Sequence, residues 1–240
     1  MEEIAARLDA LMARRDYDAA QALLLGAQEK AARAGDLSLE LSLCNELLGF
    51  ARISGREAVF TPVLARTREL LERVPISQRS RGTVLINAAT ALSAFHRGEE
   101  ALPLYEQAER SLHQALPPFD RAFAALYNNA AACLESLGDR AGAEREYRRA
   151  LAVLERYPFD PDRAVSYVNL AQLYFGQDPA DPRAETCLAQ AMEVFNDPQL
   201  LWDGYYAHTA AKCAPAFADM GREDLARELE ERAEIIYEGT

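Results

Sequence analysis

Only two lysines, Lys30 and Lys212, occur among 240 residues, so arginine carries nearly all the positive charge. That skew points to genome composition before it points to function. Positive charge as a whole is scarce, with 26 basic against 38 acidic side chains and a net charge of -12. So acidic a chain repels nucleic acid and anionic membrane, and it suits a basic or neutral protein partner. A CxxC pair is lacking. Cys44, Cys133, Cys187 and Cys213 stand far apart, which excludes the usual metal and redox motifs. Each lies in an apolar helical stretch, where a reduced thiol acts as a small core residue. A reducing compartment follows, and with it a cytoplasmic location. The start, Met1-Glu2-Glu3-Ile4, lacks the apolar run of a signal peptide. No stretch approaches the roughly 18 uninterrupted apolar residues of a membrane span, so no membrane partner is expected.

Catalytic signatures are missing too. The three histidines, His96, His113 and His208, have no HExxH-type partner. There is no GxSxG, no Walker loop and no GxGxxG. Asp178 and Asp181 share a Pro-rich loop but fall far short of a calcium loop's ligand set. Charge runs such as Glu144-Arg145-Glu146 and Glu228-Leu229-Glu230-Glu231-Arg232 read as solvated helix faces. The expectation is a non-enzyme with no metal and no cofactor.

What is present is a repeat. A shift of 42 residues lays Asn87 on Asn129, Ala89 on Ala131 and Leu92 on Leu134. The same shift lays Ala101 on Ala143, Tyr105 on Tyr147, Ala108 on Ala150 and Leu112 on Leu154. Asn45 lies 42 before Asn87, and Asn169 lies 40 after Asn129. The second half of each unit sets a small residue, a large one four later and a small one three after that. Ala20/Leu24/Ala27, Ala101/Tyr105/Ala108, Ala143/Tyr147/Ala150 and Ala184/Leu188/Ala191 obey this; Ala226/Glu230/Ala233 has Glu in the middle, and Val59/Val63/Arg66 is the nearest fit in unit two. These positions share one helix face, so the small residues let two helices close up and the large one fills the space beside them.

Turns at Arg15-Asp16-Tyr17-Asp18, Ser54-Gly55, Arg97-Gly98, Leu137-Gly138-Asp139 and Met220-Gly221 separate the helices, with Gly supplying the left-handed cap. Breaks with Pro separate the units at residues 116–120, 157–161 and 178–182. Within the helices, Pro62 is expected in a first turn behind a Thr61 cap, Pro103 near a first turn, and Pro215 at a kink. No strand signal appears, and the Ala, Leu, Glu and Arg content favours helix.

The run Asn129-Ala130-Ala131-Ala132-Cys133-Leu134, then Leu137-Gly138-Asp139, Ala143, Tyr147 and Ala150, resembles a tetratricopeptide repeat. Arg15-Asp16-Tyr17-Asp18-Ala19-Ala20 resembles that motif's central turn. The period of about 42 resembles kinesin light chain and the bacterial peptide-sensing regulators. This resemblance implies an all-α, right-handed superhelical solenoid of six helical hairpins. The whole chain, 1–240, is expected to be one such domain, with units about 1–35, 36–75, 76–116, 117–158, 159–197 and 198–238. Such regulators carry a DNA-binding helix-turn-helix ahead of the repeats. Here the repeats begin at about residue 2, so none is expected.

Each Asn stands two residues before the position that packs on its hairpin partner: Leu47, Ala89, Ala131 and Ala171. Two helical residues are about 200° apart, so Asn45, Asn87, Asn129 and Asn169 turn away from their own second helices. In the family this resembles, that side is the concave groove. An amide offers donor and acceptor together, which matches a peptide backbone. First helices about 10 Å apart are spanned by roughly three residues of extended peptide. A ladder of Asn would grip such a peptide at intervals; the competing reading is that the amides bond a neighbouring helix or water. On the same wheel lie Leu48, Thr90, Ala132 and Gln172, with Asn128 beside Asn129. In unit six Lys212 takes the ladder position with His208 one turn earlier, suited to a carboxylate. Unit one has Ala6 there, and Ala5 and Asp9 stand where the family's clamp for chaperone tails needs Lys and Asn.

The leading expectation is therefore a scaffold that binds a protein or peptide by an extended segment in its groove. A second is an assembly protein that forms a homo-oligomer through its end units or convex face. A third is an enzyme with an unrecognised site.

Overall fold

A computed structural model describes residues 2–239, and every regular element among them is an α-helix. The chain divides into two compact units, Met1–Leu116 and Pro117–Thr240. The first holds α1 (Glu2–Ala13), α2 (Tyr17–Ala34), α3 (Leu37–Ser54), α4 (Glu57–Arg73), α5 (Gln78–Ala94) and α6 (Gly98–Ala115). The second holds α7 (Ala122–Ser136), α8 (Arg140–Leu154), α9 (Asp162–Phe175), α10 (Pro182–Phe195), α11 (Gly204–Asp219) and α12 (Glu223–Glu238). Consecutive helices pair into hairpins, and within each unit first helices stack: α3 on α5, and α9 on both α7 and α11. The expected all-α repeat fold is the fold observed.

The helix starts are set locally. Asp16, Asp36, Ser77, Asp139, Asp181 and Asp203 each accept a backbone N–H of the first turn of α2, α3, α5, α8, α10 and α11, satisfying donors that no intrahelical carbonyl can reach. The turns expected at Gly55, Gly138 and Gly221 are left-handed as read. Gly98 differs: it is the buried first residue of α6, and His96 takes the left-handed conformation instead, at φ 58°.

The small-large-small positions form the hairpin seams. Ala101, Ala108, Ala143 and Ala150 are fully buried, and Tyr105 and Tyr147 fill the space between them. In α12 the expected middle residue, Glu230, is exposed and Leu229 is buried in its place. In α4 the seam lies one residue out of step with the expected register. It is made by Phe60, Leu64 and Thr67, all buried, because a bulky Phe occupies the position where the other units place Ala. Pro62 is a second correction. α4 begins at Glu57 behind Arg56, so Pro62 stands in the second turn and Thr61 caps nothing. Pro62 and Pro103 hold the same place, five residues after the first residue of α4 and α6. Both are exposed, so the carbonyl each leaves unbonded can meet water. α11 continues through Pro215 to Asp219.

Gly82 marks a close approach of α5 to α6. A Cβ there would stand 2.6 Å from Leu112 Cδ2 and 2.8 Å from Leu112 Cγ, and Leu112 is itself 1% exposed. Gly82→Ala gains helix propensity but forces a packed leucine aside. The net expectation is a loss of about 1 kcal/mol, overpacking exceeding propensity. Chemical denaturation would measure it, and a variant at least as stable as the parent would show that the seam yields freely.

Candidate functional site

In the first unit the amides meet each other. Asn87 Nδ2 donates to Asn45 Oδ1 at 2.9 Å, joining α5 to α3, and both residues remain partly exposed. Thr90 faces inward: its hydroxyl donates to Ile86 O at 2.8 Å and lies 3.1 Å from Tyr105 OH on α6. Leu48 is fully buried.

The second unit arranges the same positions differently. Asn129 on α7 and Asn169 on α9 are half-buried, and their amides make no hydrogen bond among the described residues. Two residues on, Ala131 and Ala171 are fully buried in the hairpin seams, as the helical wheel requires. Asn128 points along the neighbouring direction, donating to Ser166 Oγ of α9 at 2.9 Å. Its Oδ1 is buried without a partner, a costly state unless a water or ligand donor reaches it. Gln172, His208 and Lys212 are exposed. α7, α9 and α11 therefore present Asn129, Asn169 and Lys212 in turn, with two unengaged amides and one cation.

At the N-terminal ends of these three helices a charged cluster ties the hairpins together. Arg121 Nε lies 2.5 Å from Asp160 Oδ2 and its Nη2 donates to Asp162 Oδ2 at 3.0 Å. Nη2 also donates to Tyr205 OH at 2.7 Å, and Tyr205 OH donates to Asp162 Oδ1 at 2.6 Å. Burial pushes the Asp160 carboxyl above its ordinary range, against the opposing pull of the Asp162 amide and of Arg121. Beside the cluster opens a cleft of about 800 Å³, walled by the loops 156–161 and 199–203 together with Arg121 and Tyr205. None of the asparagines lines it.

Residues 122–197, spanning α7 to α10, match the family model of the tetratricopeptide repeat. That stretch carries tetratricopeptide repeats. Among solved structures, BtubC (BKLC) from P. vanneervenii is similar at 19% identity and a TM-score of 0.57, over 94% of this chain and 91% of that one. A kinesin light chain-like protein of nearly identical TPR-like repeats from Podosopora anserina is similar in two crystal structures. One, of a substituted form, has 19% identity and a TM-score of 0.58, over 82% of this chain and 93% of that one. The other has 20% identity and a TM-score of 0.56, over 82% and 94%. At such identities the likeness establishes the fold. No curated protein matches the chain. Tetratricopeptide repeats suggest a protein-interaction scaffold, and no helix among the described residues is long and apolar enough to cross a membrane.

Neither the Arg121 cluster nor the cleft follows from the helix pattern, although the loops carry a signal. The breaks between units repeat Pro118-Phe119-Asp120 as Pro158-Phe159-Asp160, forty residues on. Both aspartates accept the amide two residues later, at 3.0 Å, and both phenylalanines are exposed. As helix breakers alone, these loops announce no site.

Proposed function

We propose that the protein is a binding scaffold, not an enzyme, and that it holds an extended segment of a partner protein against the asparagine-bearing face of its first helices. The carrying observation is the pair Asn129 and Asn169. Each amide is half-exposed and unengaged, on adjacent first helices, while the residues two further on are sealed in the seams. An unengaged amide offers a passing backbone both a donor and an acceptor. Asn128, beside Asn129, spends its amide on Ser166 of α9 and so braces the face between the two helices. Lys212 and His208, both exposed on α11, add a place for a carboxylate. In the first unit Asn45 and Asn87 use one donor and one acceptor on each other and retain the rest. The net charge of -12 favours a basic or neutral partner. The four cysteines, free and buried, support a reducing, cytoplasmic setting.

The test begins with a peptide selected on the wild-type protein from a random display library. Asn129→Ala should weaken that peptide by about 0.5–1.5 kcal/mol, and melting should be unchanged or raised, because Ala is the better helix former. Adding Asn169→Ala should weaken it further. A large stability loss with unchanged affinity would make these amides internal struts and defeat the reading.

A further inference from the structure

The cleft in the second unit has the size of a ligand site and walls unlike the asparagine face. Its volume of about 800 Å³ falls within the roughly 300–1,000 Å³ typical of recognition pockets. Tyr157, Phe159, Leu200, Leu201 and Tyr205 are among the apolar residues that line it. Phe159 is 46% exposed and Leu201 75% exposed, and large apolar side chains grouped in the open mark an interaction surface.

The charges of the wall decide what fits. Arg121 is taken up by Asp160 and Asp162. Asp160 is further engaged by the Asp162 amide, and Asp203 by the amides of Tyr205 and Tyr206. Arg156 differs. Its guanidinium lies 4.0 Å from the centre of the Phe119 ring and forms no ion pair among the described residues. Held over an aromatic face, it keeps donors free for a planar anion. Gln199, also on the wall, makes no side-chain hydrogen bond among the described residues.

We propose that this cleft is a second recognition site, separate from the asparagine face, for a partner segment that sets a large apolar side chain beside a carboxylate. The apolar side chain enters between Phe159, Leu201 and Tyr205. The carboxylate pairs with Arg156, and Gln199 offers its amide to the segment's backbone. The acidity of the protein as a whole makes the requirement selective: an acidic segment is repelled by most of the surface and attracted where a cation such as Arg156 stands unpaired.

Two fluorescein-labelled peptides test this, Gly-Ser-Asp-Phe-Glu-Leu-Gly-Ser and its counterpart with Lys in both acidic positions. Fluorescence anisotropy at low salt should show the acidic peptide binding the wild-type protein more tightly. Arg156→Glu should weaken it about three- to tenfold, the size expected of a half-exposed charge pair turned repulsive. Leu201→Asp should weaken it as well, and its side chain stands in water, so that variant remains informative if Arg156→Glu melts early. Asn129→Ala should leave this peptide untouched, which separates the cleft from the asparagine face. Equal or tighter binding of the lysine peptide, or unchanged affinity in Arg156→Glu, overturns the proposal. So does a concentration-dependent mass that Leu201→Asp abolishes, because the cleft's occupant is then a second copy of the chain.

Discussion

Phe60→Ala should destabilise the unit Met1–Leu116 by about 3–5 kcal/mol, the range for truncating a buried aromatic ring. The substitution restores the small residue that the repeat pattern places at this position, so a consensus argument expects the opposite sign. The structure explains the reversal. Phe60 is fully buried, its ring centre 4.8 Å from that of Phe95 and 5.7 Å from the Arg97 guanidinium. Where the other units close a seam with Ala, α4 uses the ring as filling. Removing it opens a cavity that α3, α5 and the Arg97 turn can close only by moving together. Chemical denaturation followed by circular dichroism would give the loss. A gain in stability would show that the hairpin of α3 and α4 collapses to the geometry of its neighbours.

Arg66→Ala should cost about 3 kcal/mol, the low end for breaking a buried ion pair because Arg66 itself still reaches water. Glu40 on α3 is 1% exposed. Arg66 Nε and Nη2 reach its two oxygens at 2.8 and 2.9 Å, and Gln28 Nε2 of α2 donates at 2.8 Å. Three helices thus meet on one carboxylate, and losing Arg66 strands a buried charge. The double change Glu40→Leu with Arg66→Met should recover most of the loss, since apolar packing replaces such a pair at little cost. The hydrogen bond from Arg66, above all, holds the Glu40 carboxyl below its ordinary value of 4.5. The stabilisation is therefore complete above that pH and declines as pH falls through the lower folded value. Arg66→Ala should flatten that part of the acid limb of the stability profile. An equal acid dependence in both proteins would assign it to other carboxylates.

Much of the asparagine face could be read from the chain, and the cleft could not. The identities at an offset of 42 locate Asn87 and Asn129, and the buried Ala131 and Ala171 orient the face, because side-chain direction follows from the helix period alone. What each amide does was not legible. Asn45 and Asn87 pair across helices, whereas Asn129 and Asn169 stand unengaged, and the four residues look alike in sequence. Thr90 shares their face on a helical wheel but its hydroxyl meets Tyr105, a contact set by how closely α5 and α6 approach. Arg121 and Tyr205 meet across 84 residues, and no local pattern announces such a pair.

The sequence by itself determined the helix class, the period, the capping aspartates and the seam alanines. Each of these depends on residues within one or two turns of each other, where backbone geometry and hydrogen-bond reach leave few alternatives. The tertiary structure alone decided that Phe60 would fill a seam, that Glu40 would be buried under Arg66, and that Arg156 would lie on Phe119 beside an open cleft. Those outcomes depend on distances between helices and loops far apart in the chain. Such distances are set by the summed volumes of every side chain packed between the elements, a quantity that no short stretch of sequence contains.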